Sequence, residues 1–397
     1  MTIFKRFKPQ YALLAGLALG TMLLNGQSTP RKTLDIYFID VEGGHSTLYV
    51  APSGEAMLID TGSPGTRDVE RIMDVINAAG VKQIDQLILT HYHSDHIGGL
   101  EELAKRIPIR HFIDHGTSVE EREPVPGFQK MYAELYAKAT RTIAKPGDKI
   151  PFAGTNVVVV TSAGKTLKTP IAGAPGAGRP NPACADFKPR DESHVDPDNP
   201  QSVGIVMAYG KFRTINLGDF TWNVEKDLMC PNNPIGTVDL YITSHHGIDQ
   251  SGSPVLVHGL QPRVAVMHNS TRKGGAIQTM QILHTSPGLE DIWQLHWAYA
   301  AGLEQNSPGL FIANMEEPAV IANVLNNPPP TFGQLRGPGG PPAGGAPGGA
   351  GRGAGGGGGR GGHTGPAFWI KVSANSDGSF TVTNTRNSFS KTYAARK

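Results

Sequence analysis

Apolar residues along this chain fall first into a strand rhythm and then into a helical one. Residues 33–41 (TLDIYFIDV) and 46–52 (STLYVAP) are rich in β-branched and aromatic side chains. Between them lies Glu42-Gly43-Gly44-His45, whose glycines predict a tight turn. A third run, EAMLIDTG at 55–62, follows Pro52-Ser53-Gly54, so the chain opens as a meander. The period then changes. Val69, Ile72, Met73, Ile76 and Ala79 recur at helical spacing until Gly80 closes the run.

A strand at 86–90 (QLILT) comes next, then a polar cluster, then a helix through 100–107 (LEELAKRI). Residues 109–116 (IRHFIDHG) predict another strand, residues 128–144 an amphipathic helix, and residues 147–164 a turn and a strand. From 165 to 201 the chain is rich in Pro, Gly and Ala without periodicity. A loop of that length inside a compact domain is usually functional or disordered. Strands resume at 202–210 and 212–219 around Gly210-Lys211, and helix and strand signals alternate through 237–244, 262–269, 276–284 and 291–298.

Composition changes after about residue 327. The stretch 331–366 is Gly/Pro low complexity with too few side chains to bury, and is expected to be a flexible tether. Its few arginines lack interleaved aromatics, which argues against an RNA-binding segment. Residues 367–397 predict a hairpin around Asp377-Gly378, with Trp369, Ile370 and Phe380 packing on the main body. At the other end, Lys5, Arg6 and Lys8 precede the apolar segment 11–24, about as long as the core of a signal peptide and short of a bilayer span. Residues 1–27 therefore read as an export signal, with an uncleaved inner-membrane anchor as the alternative; the main domain occupies 31–330. An exported, periplasmic or secreted location is expected.

Charge adds little: 36 basic residues face 34 acidic ones, so nothing calls for a polyanionic partner. A nucleic-acid substrate would have to be argued from the site. Two cysteines, Cys184 and Cys230, could tie the long loop to the body as a disulfide or remain free thiols; without CxxC spacing they do not make a zinc site.

The chemistry is concentrated in QLILTHYHSDHIGGL, residues 86–100. His91 and His93, two apart beyond a strand, can converge on one cation. Asp95 and His96, on the turn into the next helix, can reach a second. Such nitrogen-rich coordination with carboxylate suits zinc, with iron or manganese as alternatives. This stretch resembles the signature of the metallo-β-lactamase fold superfamily, and further motifs follow in order. Asp60 in MLIDTG matches an aspartate that orients the metal ligands, Asp219 in INLGDF the carboxylate that bridges two metals, and His245-His246 in ITSHHG the final histidine motif. The layout of DVEGGHSTLYV, of residues 199–219 and of SHHG is similar to the hydrolase domain of DNA-uptake competence proteins and to phosphorylcholine esterases.

The resemblance implies a four-layer αββα sandwich, mixed α/β, with the site at the sheet edge. It also implies two divalent ions sharing a water that becomes the nucleophile, Asp219 bridging them and Asp95 orienting the attack. Of the final pair, His245 is the first choice as ligand, with His246 close behind. Many members carry a further histidine just before the strand at 202. Here Asp198 and Asn199 stand there, and the nearest histidine is His194. His45 replaces an aspartate common in the competence branch and either lines the cleft or sits in a polar turn. His115 and His268 follow strands and could reach the cleft, although a structural role is the commoner fate of such residues. The long 165–201 loop is the candidate flap.

The expected function is hydrolysis of a phosphodiester or related ester, in a small molecule or polymer; lactones, amides and thioesters stay open because one metal centre serves them all. The alternatives are a non-catalytic metal-binding or recognition protein on the same fold, and an interaction role for the Gly-rich segment and terminal hairpin.

Overall fold

A computed structural model describes residues 32–327 and 366–396. The N-terminal apolar segment and the Gly/Pro-rich stretch up to residue 365 lie outside the described residues.

Two nine-stranded sheets face each other. In the first, β1 (Leu34–Phe38), β2 (Thr47–Val50) and β3 (Ala56–Ile59) form the antiparallel meander. Next, β4 (Gln86–Ile88), β5 (His111–Asp114) and β6 (Thr140–Ile143) add in parallel. The second sheet begins with β7 (Lys149–Ile150), β8 (Asn156–Ser162) and the short β9 (Lys165–Thr166). A separate ribbon pairs β10 (Arg179–Pro180) with a later short strand. The second sheet continues with β11 (Gly204–Tyr209) and β12 (Phe212–Asn216), and β13 (Asn232–Asn233) completes the ribbon. Then β14 (Leu240–Ile242), β15 (Val264–Met267), β16 (Asp291–His296) and β17 (Ile312–Asn314) run parallel to β12.

Alternation along the strands builds the layers. Leu34, Ile36 and Phe38 of β1 point into the core shared with Val264, Val266 and Trp293 of the second sheet. Tyr37 and Ile39 point the other way, to a second core under α1 (Arg67–Ala78), α3 (Leu100–Ala104) and α4 (Val125–Tyr136), with the one-turn α2 (Ser94–Ile97) beside it. The outer face of the second sheet packs Ile215, Tyr241 and Ala265 against α5 (Trp222–Met229), α6 (Pro254–Leu260) and α7 (Ile277–His284). The result is the four-layer αββα sandwich expected from the sequence. Each inter-layer core consists almost wholly of aliphatic and aromatic side chains, the dominant favourable term in such a fold.

Two local readings change. The helix expected over 128–144 ends at Tyr136, and Thr140–Ile143 becomes an edge strand. Its β-branched Thr140, Thr142 and Ile143 suit a strand, and pairing with β5 outweighs the helical spacing. The C-terminal segment has three strands, β18 (Ile370–Ala374), β19 (Phe380–Asn384) and β20 (Ser390–Tyr393), rather than a two-stranded hairpin. They extend the first sheet beyond β1, and Ile370, Val372, Phe380 and Tyr393 enter the inter-sheet core. Among the described residues no helix is long and apolar enough to cross a membrane.

Cys184 and Cys230 are joined by a disulfide, so the 165–201 loop is tied to the end of α5. Arg190 of that loop stacks on the Trp222 ring. The loops after β3, β4, β5, β12, β14 and β15 carry the polar clusters described next.

Candidate metal centre

Asp60 follows β3 on a left-handed backbone (φ 60°) and is fully buried. Its Oδ1 accepts the Thr90 N–H at 2.8 Å; its Oδ2 accepts the Thr90 hydroxyl at 2.7 Å and faces Nδ1 of His96 at 2.8 Å and of His45 at 3.0 Å. Burial alone would raise this carboxyl, but the His96 and His45 rings hold it well below the usual carboxylate range. With Nδ1 donating to Asp60, the Nε2 of His96 faces the cluster, where a bound cation would take its lone pair.

That Nε2 lies 3.2 Å from His246 Nε2, 3.3 Å from Asp219 Oδ2 and 3.6 Å from Asp95 Oδ2. His246 Nε2 is 3.4 Å from Asp95 Oδ2 and 3.3 Å from Asp219 Oδ2. Donor atoms of Asp95, His96 and His246 thus lie within 4.8 Å of one another, with Asp219 Oδ2 beside the two histidines. Beside it, His91 Nε2 and His93 Nδ1 are 2.9 Å apart, and Asp219 Oδ2 lies 4.0 Å from His91 Nε2. Asp219 Oδ2 therefore stands between two donor sets. The burial of Asp219 favours its neutral form, yet His245, His246 and His96 keep it well below the usual range. Asp95, half-buried in the cleft wall, is held well below the usual range against its own desolvation, first by Lys273 and then by His96. Burial beside His96 and His93 keeps His91 neutral, as a ligand must be.

Backbone geometry explains the convergence. Gly218 takes φ +55°, and a Cβ there would meet the Thr90 side chain at 2.7 Å. Glycine lets the turn after β12 close on the turn after β4. His245 and His246 both adopt left-handed backbone, φ 51° and 56°, at a cost of about 1–3 kcal/mol each. Adjacent side chains that would diverge from an extended strand instead both bring Nε2 to 3.3 Å from Asp219 Oδ2.

His245 and His246 thus both reach Asp219. His246 is sealed from solvent and also joins Asp95 and His96, whereas His245 lines the cleft. Asp198 is not presented to the cluster: its carboxylate accepts the Tyr92 N–H at 2.7 Å and the Ser118 hydroxyl, with His115 Nε2 3.5 Å away. Asn199 is the cleft residue of that pair, 1% exposed with its Oδ1 lacking a hydrogen-bond partner. His194 is exposed, outside the cleft wall. His45 is buried between Asp60 and Asn216 and stacks over His96, while His268 Nε2 contacts the Ser46 carbonyl and the Thr47 hydroxyl. His115 packs edge-on against Tyr92. None of these three lines the cleft.

Two cleft residues escaped the sequence reading. Lys273 Nζ reaches Asp95 Oδ2, and Glu120 Oε2 lies 2.9 Å from His93 Nε2. Both sit on loops after β15 and β5, the same loops from which His268 and His115 were singled out. The signal lay in the loops, and histidine drew attention away from their charged residues. A further buried group, Asp40, Glu42 and His296, contains Arg71, which bonds both carboxylates, and so forms an ion-pair network. The cleft itself encloses about 330 Å³.

Residues 39–247 match the family model described as the metallo-beta-lactamase superfamily. The chain belongs to that superfamily. As a member it has the fold of metal-dependent hydrolases that bind divalent metals, and its His/Asp clusters are candidate sites for them. It is 25% identical over 250 residues to ComE operon protein 3 of Bacillus subtilis strain 168, covering 59% of this chain and 28% of that protein. It is 32% identical over 89 residues to competence protein ComA of Neisseria gonorrhoeae, covering 22% and 13%. A solved relative in fold is the metallo-beta-lactamase fold protein YhfI from Bacillus subtilis, at 12% identity and TM-score 0.41, covering 66% of this chain and 96% of that one. This superfamily member spans less than a third of the length of each of the first curated relatives it matches.

The donor set fits divalent ions. Two imidazole Nε2 atoms at 3.2 Å, with carboxylate oxygens beside them, are the mixed nitrogen and oxygen donors that such ions take.

Proposed function

We propose that this protein is an exported two-metal hydrolase of phosphodiester or related ester bonds. The observation that carries the reading is Asp219 Oδ2 standing between the His91/His93 pair and the Asp95/His96/His246 group. His91 and His93 would hold one divalent ion, zinc first and iron or manganese as alternatives, and Asp95, His96 and His246 the other, with Asp219 shared. Bound there, the pair supplies Lewis-acid polarisation of the scissile phosphoryl or carbonyl group and a water acidic enough to attack at neutral pH.

The chain's own residues do the rest. Asp60 fixes the His96 tautomer, and Thr90 and Ser202 place hydroxyls near His91 Nδ1. Lys273, beside Asp95 in the cleft wall, puts positive charge where an anionic substrate oxygen would arrive. His245, on the open side of Asp219, meets the substrate or adds a ligand to the first ion. Around this centre Glu42, Glu120, Glu123 and Asp196 outnumber Arg122 and Lys273 in the cleft lining. That balance, with the small cleft, favours a compact substrate over a nucleic-acid strand despite the likeness to competence proteins.

The test is hydrolysis of bis-p-nitrophenyl phosphate, alongside lactone and thioester substrates, by zinc-loaded protein. Phosphodiester cleavage should exceed the others, vanish after dialysis against a chelator and return with zinc. Metal-replete protein inactive on the whole panel would leave the non-catalytic binding protein as the better reading.

A further inference from the structure

Three histidines of the opening motif differ in how they are held. His91 and His96 are fully buried, and their rings are constrained by packing together with the Asp60 carboxylate at His96 Nδ1 and the Thr90 hydroxyl at His91 Nδ1. The His93 side chain retains 16% exposure, so packing does not fix it. Its Nδ1 lies 2.9 Å from His91 Nε2, and its other ring nitrogen, Nε2, lies 2.9 Å from Glu120 Oε2. We propose that Glu120 is the positioning residue for His93, holding the ring so that Nδ1 presents its lone pair to the first metal position. The inference rests on the two-metal reading above.

Glu120 is built for this. It is 7% exposed, and its N–H donates to Ser118 Oγ at 3.0 Å. Ser118 in turn donates to Asp198, which accepts the Tyr92 N–H between His91 and His93. The aspartate that sequence reasoning offered as a ligand thus anchors the loop bearing Glu120. The second oxygen of Glu120 accepts Arg122 Nη2 at 3.1 Å, and the same nitrogen donates to Asp196 Oδ1 at 2.8 Å. Glu120 is therefore clamped between the loop after β5 and the disulfide-tied 165–201 loop. A carboxylate on the far nitrogen of a ligating imidazole fixes its tautomer and raises its basicity.

The experiment is stepwise zinc titration of the full chain against a chromophoric chelator, with the absorption spectrum of the cobalt(II) form. Glu120→Ala should weaken one of the two zinc ions by about 10- to 100-fold, leave the other unchanged and alter the cobalt bands. Glu120→Asp should recover part of the loss. Should Glu120→Ala fail to fold, Glu120→Gln, which keeps one acceptor oxygen, should show a smaller loss at the same ion. Wild-type affinities and an unchanged cobalt spectrum in a folded variant would overturn the assignment of Glu120 alone. A wild-type chain that takes up no metal would overturn the two-metal reading and, with it, this one.

Discussion

Replacing Asp219 by alanine is expected to lower kcat/KM for phosphodiester cleavage by at least about 10³-fold, roughly 4 kcal/mol of transition-state stabilisation. The carboxylate belongs to both donor sets, so its loss removes a shared ligand. It also removes the one carboxylate oxygen that lies 3.3 Å from the Nε2 atoms of His96, His245 and His246. Asp219→Asn keeps the shape and one acceptor oxygen but not the charge, and should fall between alanine and wild type. Steady-state kinetics with metal content measured on the same samples checks this. An alanine variant within tenfold of wild type would show that the bridge is not where the chemistry happens.

Asp60→Ala is expected to carry the largest stability penalty at the site. Its two oxygens serve the Thr90 N–H, the Thr90 hydroxyl and the rings of His96 and His45, all buried. Removing one partner of such a network costs about 3–5 kcal/mol, since the groups left behind cannot reach water. Zinc affinity should fall with it, because His96 loses the acceptor that sets its tautomer. The folded carboxyl lies below its unfolded value, so this contribution is present above about pH 4 and is lost as acid protonates it. The variant's stability should therefore fall less steeply in acid than that of wild type. Urea denaturation at pH 7 and pH 3.5 measures both effects. A loss under about 1 kcal/mol at pH 7 would contradict the role given to Asp60.

Much of this site was legible before any coordinates. Histidines spaced two apart after a buried strand, an aspartate ending an early strand and a Gly-Asp turn after a later one are local signals with chemical reasons. Parallel strands bring their ends to one edge, and the loops after β3, β4, β12 and β14 meet there. The convergence of the final pair on Asp219 was not legible. It depends on two consecutive non-glycine residues in the left-handed region, a conformation that no residue type in ITSHHG demands.

Glu120 and Lys273 were hidden for another reason. A charged residue on a loop reads as solvated until the fold shows what it faces. Conversely, His45, His115 and His268 stood out by residue type, yet the structure makes them supports behind the cleft. At the level of elements, pairing with β5 claimed residues 140–143 from a helix whose spacing was locally sound.

The most direct measurement is anomalous diffraction from crystals of the zinc-loaded chain, recorded across the zinc absorption edge. The account predicts two peaks about 3.5–4 Å apart, one beside His91 and His93 and one among Asp95, His96 and His246, with Asp219 between them. A single peak remote from Asp219, or none in protein soaked with excess zinc, would contradict it.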